Sequence, residues 1–206
     1  MSGAFPISSA KFETMGIQSI QNTIMSKSIN GKKLTRQVDN QRFGFSVKII
    51  TSKRSDVYGE LMAFIIKQRS SKENFTIVPP DVTTINGNES GTILVNGSHS
   101  AGDTTIAMDG FGADGAGRFK AGDLIKFASH TKVYMIVADV TSSSNASTVT
   151  IEPPLQSALA NDSEVTYSSV PFTVHLTSDI QEFGSVGADK DGKVLYQFEF
   201  DVEESI

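Results

Sequence analysis

The 206-residue chain contains no cysteine. Disulfides, thiol nucleophiles, thiolate zinc sites and iron–sulfur clusters are excluded together. The absence also fits assembly in a reducing cytoplasm. Tryptophan is missing too, and only four tyrosines occur. A platform for stacking sugars or single-stranded nucleic acid has few residues to draw on, so no specific nucleic-acid binding is expected. Apolar runs are a few residues long, too short to span a bilayer, and no membrane insertion is expected. The N-terminal stretch MSGAFPISSAKFETMG has no basic region followed by an apolar one, so it does not read as a signal peptide. The five Asn-x-Ser/Thr sequons, at Asn74, Asn88, Asn96, Asn145 and Asn161, then read as polar turns.

Signatures of catalysis are also missing. There is no G-x-S-x-G elbow, H-E-x-x-H or P-loop. His99, His130 and His175 stand in separate segments without an i,i+2 or i,i+4 partner, which predicts surface or packing roles. Carboxylates are plentiful, yet no pair stands out as an acid and base. The chain is therefore read as non-enzymatic, with no cofactor and no metal site.

Charge is unevenly placed. Residues 1–72 hold twelve Lys/Arg against four Asp/Glu, and residues 73–206 hold six against nineteen. A chain polarised this way can dock the basic face of one copy on the acidic face of another, or bind a polyanion.

Most of the sequence reads as β-structure. QSIQNTIMSKSI (18–29) suggests one long strand. Asn30-Gly31 follows as a type I′ hairpin signal before GKKLTRQV. RFGFSVKII (42–50) alternates, with Phe43, Phe45, Val47 and Ile49 on one face. The period then changes. Val57, Leu61, Phe64 and Ile65 fall at helical spacing, with Ser55 placed as N-cap, Asp56 and Glu60 early, and Lys67 and Arg69 late. NFTIVPPDV (74–82) is a short strand ended by two prolines. Residues 86–167 are rich in Gly, Ser, Thr, Asn and Ala, and contain six short strands: GTILV, TTIAM, DLIKFA, KVYMIVADV, STVTIEPPL and EVTYS. Such spacing suggests a small barrel or sandwich. PFTVHLT (171–177) and KVLYQFEFDVEE (193–204) return to longer strands. In the second, Val194, Tyr196, Phe198, Phe200 and Val202 share a face.

These patterns predict a mainly β fold: a β-sandwich with one packing α-helix, plus an inserted small β-barrel-like domain. Residues 1–85 and 168–206, with a helix over 54–70, form the sandwich. Residues 86–167 form the insertion.

Two motifs invite a ligand. GFGADG (110–115) has the G-x-G-x-x-G spacing of a dinucleotide loop. That loop needs a helix after it to receive the pyrophosphate. Here AGRFKAGDLIKFASH follows, without a helical stripe and leading into another strand, so the glycines are read as turns. ADKDGK (188–193) resembles part of a calcium loop. With Asp191 and Gly192 at the fifth and sixth positions, Phe198 falls where the bidentate glutamate belongs, and Glu199 lies one residue out. AGD occurs twice, at 101–103 and 121–123, each time before a strand.

The order of segments carries a family resemblance. FPISSAKFETMGIQSIQNTIMSKSINGKKLTRQ, QRFGFSVKI, a helix and FTIVPPDV resemble the N-terminal half of structural tail proteins of tailed bacteriophages. AGDLIKFASHTKVYMIVADV with STVTIEPPL, and the closing VPFTVHLTSDIQEF, are similar to segments of the same proteins. The resemblance implies a virion component of the tail tip or baseplate, related to distal tail proteins that form hexameric rings joining the tail tube to the distal parts. It implies copies of the chain and other tail or baseplate proteins as partners. It places the protein in the virion tail, assembled in the bacterial host cytoplasm, and carries over no active-site residue. Lys32, Lys33 and Arg36 are the interface residues selected from the basic part. The alternative is a small β-domain adhesin or carbohydrate-binding module, for which Phe111, Phe119 and Tyr134 are the available aromatics.

Overall fold

The computed structural model describes residues 3–6, 12–38 and 40–206. The first part of the chain forms β1 (Phe12–Ile20), β2 (Thr23–Lys27), β3 (Lys33–Gln37), β4 (Arg42–Ile49), β5 (Ser52–Lys53), α1 (Gly59–Lys67) and β6 (Phe75–Ile77). The middle forms β7 (Leu94–Val95), β8 (Thr105–Asp109), β9 (Gly115–Ala116), β10 (Leu124–Phe127), β11 (Val133–Ile136), β12 (Thr141–Ser142), β13 (Ala146–Glu152) and β14 (Val165–Thr166). The end forms β15 (Phe172–Leu176), β16 (Gly184–Ala188), β17 (Val194–Gln197) and β18 (Glu199–Glu204). The fold is mainly β with one short helix, as the patterning predicts.

One antiparallel sheet runs β1-β4-β18-β15-β6, and a second runs β16-β17-β5. The pair β4–β18 continues directly into the pair β5–β17, so two strands pass together from one sheet to the other. Alternating apolar residues make this possible. Phe43, Phe45, Val47 and Ile49 of β4 are buried as predicted, as are Phe198, Phe200 and Val202. Aromatic contacts fill the centre: Tyr58 stacks on Tyr196 at 4.6 Å, Phe183 on Phe198 at 5.0 Å, and Phe45 meets Phe172 edge-on at 4.8 Å.

The helix is shorter than predicted. Residues 54–58 form a π-helical turn, and only Gly59–Lys67 is α-helical. Ser55 makes no cap. Its hydroxyl instead lies 3.2 Å from Asp56 Oδ1. Leu61 and Ile65 still bury against the sheets, with Val57 and Phe64 half-buried beside them.

The six strands read within 86–167 all form, and they make one sheet in the order β14-β10-β11-β13-β8-β7. A bridge between Leu94 and Glu164 brings β7 back to β14, so the sheet closes almost completely. Val95 N–H to Ser163 O and Val165 N–H to Ile93 O, each 3.0 Å, reinforce the seam. Closure removes the free edges that short strands would otherwise expose. β9 and β12 form a separate antiparallel pair.

Two apolar clusters result. One fills the sandwich and the other fills the barrel. Strand β11 serves both: Val133 and Met135 turn to the sandwich cluster, and Tyr134 and Ile136 turn to the barrel cluster.

Candidate functional site

Residues 18–29 do not form one strand. The chain leaves the sheet at Gln21–Asn22, and β2 pairs with β3 as a hairpin that joins no other strand. Val38 N–H donates to Asn22 O at 2.9 Å and closes its base. Its tip is not the type I′ turn predicted from Asn30-Gly31. Among the tip residues only Gly31 has positive φ, at +83°. Gly31 N–H bonds to Ser28 O and Ser28 N–H to Lys32 O, both 2.9 Å. This is a three-residue loop ending in a left-handed glycine, the next most favoured hairpin closure.

Every residue of β2 and β3 is exposed. Ile24 and Met25 each retain 61% exposure, Leu34 56%, and Ile29 at the tip is fully exposed. An isolated two-stranded hairpin is at best marginally stable in water. The apolar residues of this one are bare on both of its faces. Lys32, Lys33 and Arg36 all lie on this hairpin. No carboxylate among the described residues forms an ion pair with them or with Lys27.

A second group joins the barrel to the sandwich. Lys132, in the turn between β10 and β11, is 1% exposed, and Glu204 at the end of β18 is fully buried. Lys132 Nζ lies 2.5 Å from Glu204 Oε2, donates to Gln41 Oε1 at 3.1 Å, and sits 4.6 Å over the Phe43 ring. Glu204 also accepts the Phe43 N–H at 3.1 Å and the Val133 N–H at 2.7 Å. Burial pushes the Lys132 ammonium down, while the Glu204 carboxylate pulls it back up. Glu204 is absent from the sequence reading, though its signal is there. The alternation Phe198, Phe200, Val202 continues to position 204, which puts a carboxylate in a core-facing register. Such a group must find donors.

The GFGADG loop does bind an anion, and the anion is its own chain's. Glu89 Oε1 accepts the backbone N–H groups of Gly91 at 2.6 Å, Ser90 at 2.8 Å and Gly112 at 2.8 Å. Its Oε2 lies 4.0 Å from Arg118. The glycines let the strands approach. A Cβ at Gly110 would stand 2.0 Å from Thr92 O, and one at Gly91 2.2 Å from Gly110 O. The two AGD triplets make the same turn. Asp103 Oδ2 accepts Ser100 N–H at 2.9 Å and Asp123 Oδ2 accepts Lys120 N–H at 2.8 Å, with Gly102 and Gly122 at φ +94° and +101°.

Two of the three histidines, His99 and His130, do have partners at i,i+4, which corrects the sequence reading. His99 Nε2 accepts the Ala107 N–H at 3.1 Å, and its Nδ1 lies 3.7 Å from Asp103. His130 Nδ1 lies 2.8 Å from the Tyr134 hydroxyl, and Nε2 lies 2.9 Å from Ser157 Oγ. The third group in that chain is a phenol. It accepts the Gln156 N–H at 3.1 Å, and burial pushes it up to about 12. A carboxylate that could stabilise an imidazolium is not what His130 Nδ1 meets.

Burial lowers the His130 pKa below 6.5. The unfolded chain therefore binds a proton there before the folded chain does. This contribution to stability is present above about pH 6.5 and is lost as pH falls toward the folded value. Thermal midpoints measured from pH 7.5 to pH 5 should fall less steeply for His130→Gln than for the parent chain.

Asp189 Oδ1 accepts the N–H groups of Asp191 and Lys193, each at 2.9 Å, and Lys53 pairs with Oδ2. The DKDG turn is thus held by its own donors. No group of three or more potential metal ligands occurs among the described residues. Phe111, Phe119 and Tyr134 do not form an exposed platform. They are 4%, 0% and 0% exposed and line the barrel cluster. No helix among the described residues is long and apolar enough to cross a membrane.

Among curated proteins none matches the chain. Residues 82–170 match the family model described as distal tail protein pb9, B domain. The matched span contains the six-stranded barrel from β7 to β14. The barrel segment is therefore similar to the B domain of a phage distal tail protein.

Proposed function

We propose that the protein is a structural component of a bacteriophage tail tip or baseplate. Copies close into a ring of six, and the ring joins the tail tube to the distal tail parts. Residues 1–85 and 168–206 form the ring-building sandwich domain, and 86–167 is a barrel domain inserted in it. The partners are further copies of the chain and neighbouring tail or baseplate proteins. The protein resides in the virion tail, assembles in the host cytoplasm, and performs no chemical step.

The observation that carries this reading is the β2–β3 hairpin, with apolar residues bare on both faces and cations that no carboxylate among the described residues pairs. A neighbouring subunit would cover those residues and stabilise the hairpin. Lys32, Lys33 and Arg36 belong to that interface. The match to a distal tail protein domain supports the virion setting. The adhesin reading has lost its aromatics to the barrel interior.

Native mass over a concentration series, with negative-stain images of the same fractions, tests the ring. Closed rings of uniform mass are expected. A strict monomer at every concentration would count against self-assembly. Reversing the charges of Lys32, Lys33 and Arg36 together should weaken assembly more at low salt than at high salt, because screening already weakens exposed pairs. Assembly indifferent to the reversals would remove these residues from the interface.

A further inference from the structure

We infer that the hairpin of one copy seats in an acidic groove on the next copy, at the opposite end of the five-stranded sheet. This rests on the self-assembly reading and names the surface that receives the arm.

The two faces of the hairpin follow from its register. Ile24 stands opposite Arg36 and Ser26 opposite Leu34, so one face carries two aliphatic residues and a guanidinium. Met25 stands opposite Thr35 and Lys27 opposite Lys33, so the other carries a thioether and two ammonium groups. Like charges directly across a strand pair repel. Lys27 and Lys33 have no carboxylate partner among the described residues to relieve that repulsion. The hairpin therefore calls for a surface that is both apolar and anionic.

One groove has that chemistry. A cleft of about 370 Å³ is lined by Ile180, Glu182, Glu199 and Asp201 among others. Ile180 is 75% exposed. Glu182, Glu199 and Asp201 are exposed, and no Lys or Arg among the described residues forms an ion pair with them. An aliphatic side chain framed by three carboxylates complements an aliphatic hairpin framed by cations.

A chain does not fill its own groove, since every residue of β2 and β3 is exposed. The hairpin departs after Ile20, which is opposite Arg42 at one end of β4. The groove is built on Glu199, which is opposite Lys48 near the other end. At about 3.3 Å per residue, the two lie on the order of 20 Å apart along the sheet. Arm and groove are different surfaces, so their pairing is head-to-tail. Repeated head-to-tail contacts generate a ring when the rotation closes and a filament when it does not.

Two charge-reversed proteins test the pairing. One carries Lys33→Glu with Arg36→Glu, and the other Glu199→Lys with Asp201→Lys. Each alone should associate roughly tenfold more weakly or worse than the parent chain. An equimolar mixture should recover association, because reversed arms then meet reversed grooves. All four positions are exposed, and thermal melting of each variant establishes that it is folded. As a second measurement, zero-length carbodiimide coupling of mixed heavy- and light-isotope parent chains should join Lys27 or Lys33 to Glu182, Glu199 or Asp201 in mixed-isotope peptides. Rings that form normally from both variants, or a mixture that does not recover, would overturn the pairing and leave the ring reading intact. A parent chain that never exceeds a monomer would overturn both.

Discussion

Glu204→Ala is expected to destabilise the folded chain by about 3–5 kcal/mol, the cost of leaving a buried charge without its partner. Three donors lose their acceptor at once: Lys132 Nζ, the Phe43 N–H and the Val133 N–H. Lys132 keeps only the Gln41 carbonyl and the Phe43 ring. Urea unfolding at pH 7 measures the loss. The double variant Lys132→Met with Glu204→Leu refines the reading. Replacing a whole buried ion pair with apolar groups of similar volume is often neutral or stabilising. Here it would still strand two backbone N–H groups, each costing about 1–3 kcal/mol. The double variant should therefore recover part of the loss and not all of it. Full recovery would mean that water reaches the two amides and that the carboxylate mattered only to Lys132. The test also bears on how the barrel sits on the sandwich, since Lys132 directly precedes β11 of the barrel sheet and Val133 begins it, and Phe43 and Glu204 lie on β4 and β18 of the five-stranded sheet.

Much of the architecture is legible because burial imposes a period on side chains. In β4, one face meets the core and the other does not, so Phe43, Phe45, Val47 and Ile49 alternate with Gly44, Ser46 and Lys48. The six barrel strands are legible as apolar runs between turns, since closure fixes both their shortness and their spacing. Strand β11 shows where the rule blurs. VYMI has no polar alternation because both of its faces are buried, against different clusters. A sequence reports that the run is buried, not that it bridges two cores.

The misses have physical causes of the same kind. The hairpin turn at Asn30-Gly31 was legible, but the break before it was hidden because these residues face neither core, so no period marks where β1 ends and β2 begins. Ser55 has the composition of an N-cap, yet the first turn is π-helical and its hydroxyl turns to Asp56. Asp103 and Tyr134 stand four residues after His99 and His130 and were within reach of spacing, whereas Ser157 meets His130 from 27 residues away, where spacing carries no information. The candidate interface was half legible. Charge polarity selected Lys32, Lys33 and Arg36, but the acidic groove draws Glu182 from a loop and Glu199 and Asp201 from β18, and only the fold assembles it.

Gly110→Ala is expected to cost at least about 3 kcal/mol, more than a left-handed backbone alone accounts for. Two effects combine at this position. Its φ of +82° is one that side-chain-bearing residues rarely adopt, at a cost of roughly 1–2 kcal/mol. The new Cβ would also stand 2.0 Å from Thr92 O and 3.6 Å from Ile93 Cα, both on backbone that cannot turn aside. Displacing that backbone would disturb the neighbouring Gly91 amide, which donates to Glu89 at 2.6 Å. Gly97 is the matched control. Its φ is +86°, and nothing lies within 4 Å of a Cβ built there. Gly97→Ala should therefore lose only the backbone component. Unfolding both variants in urea separates close approach from conformation. Equal losses would mean that the glycine spacing of GFGADG serves φ alone, and that the loop could relax around a side chain. A much larger loss at Gly110 would identify the spacing as the means of bringing two backbones together around Glu89. A nucleotide phosphate would then compete for amides that a buried carboxylate already holds.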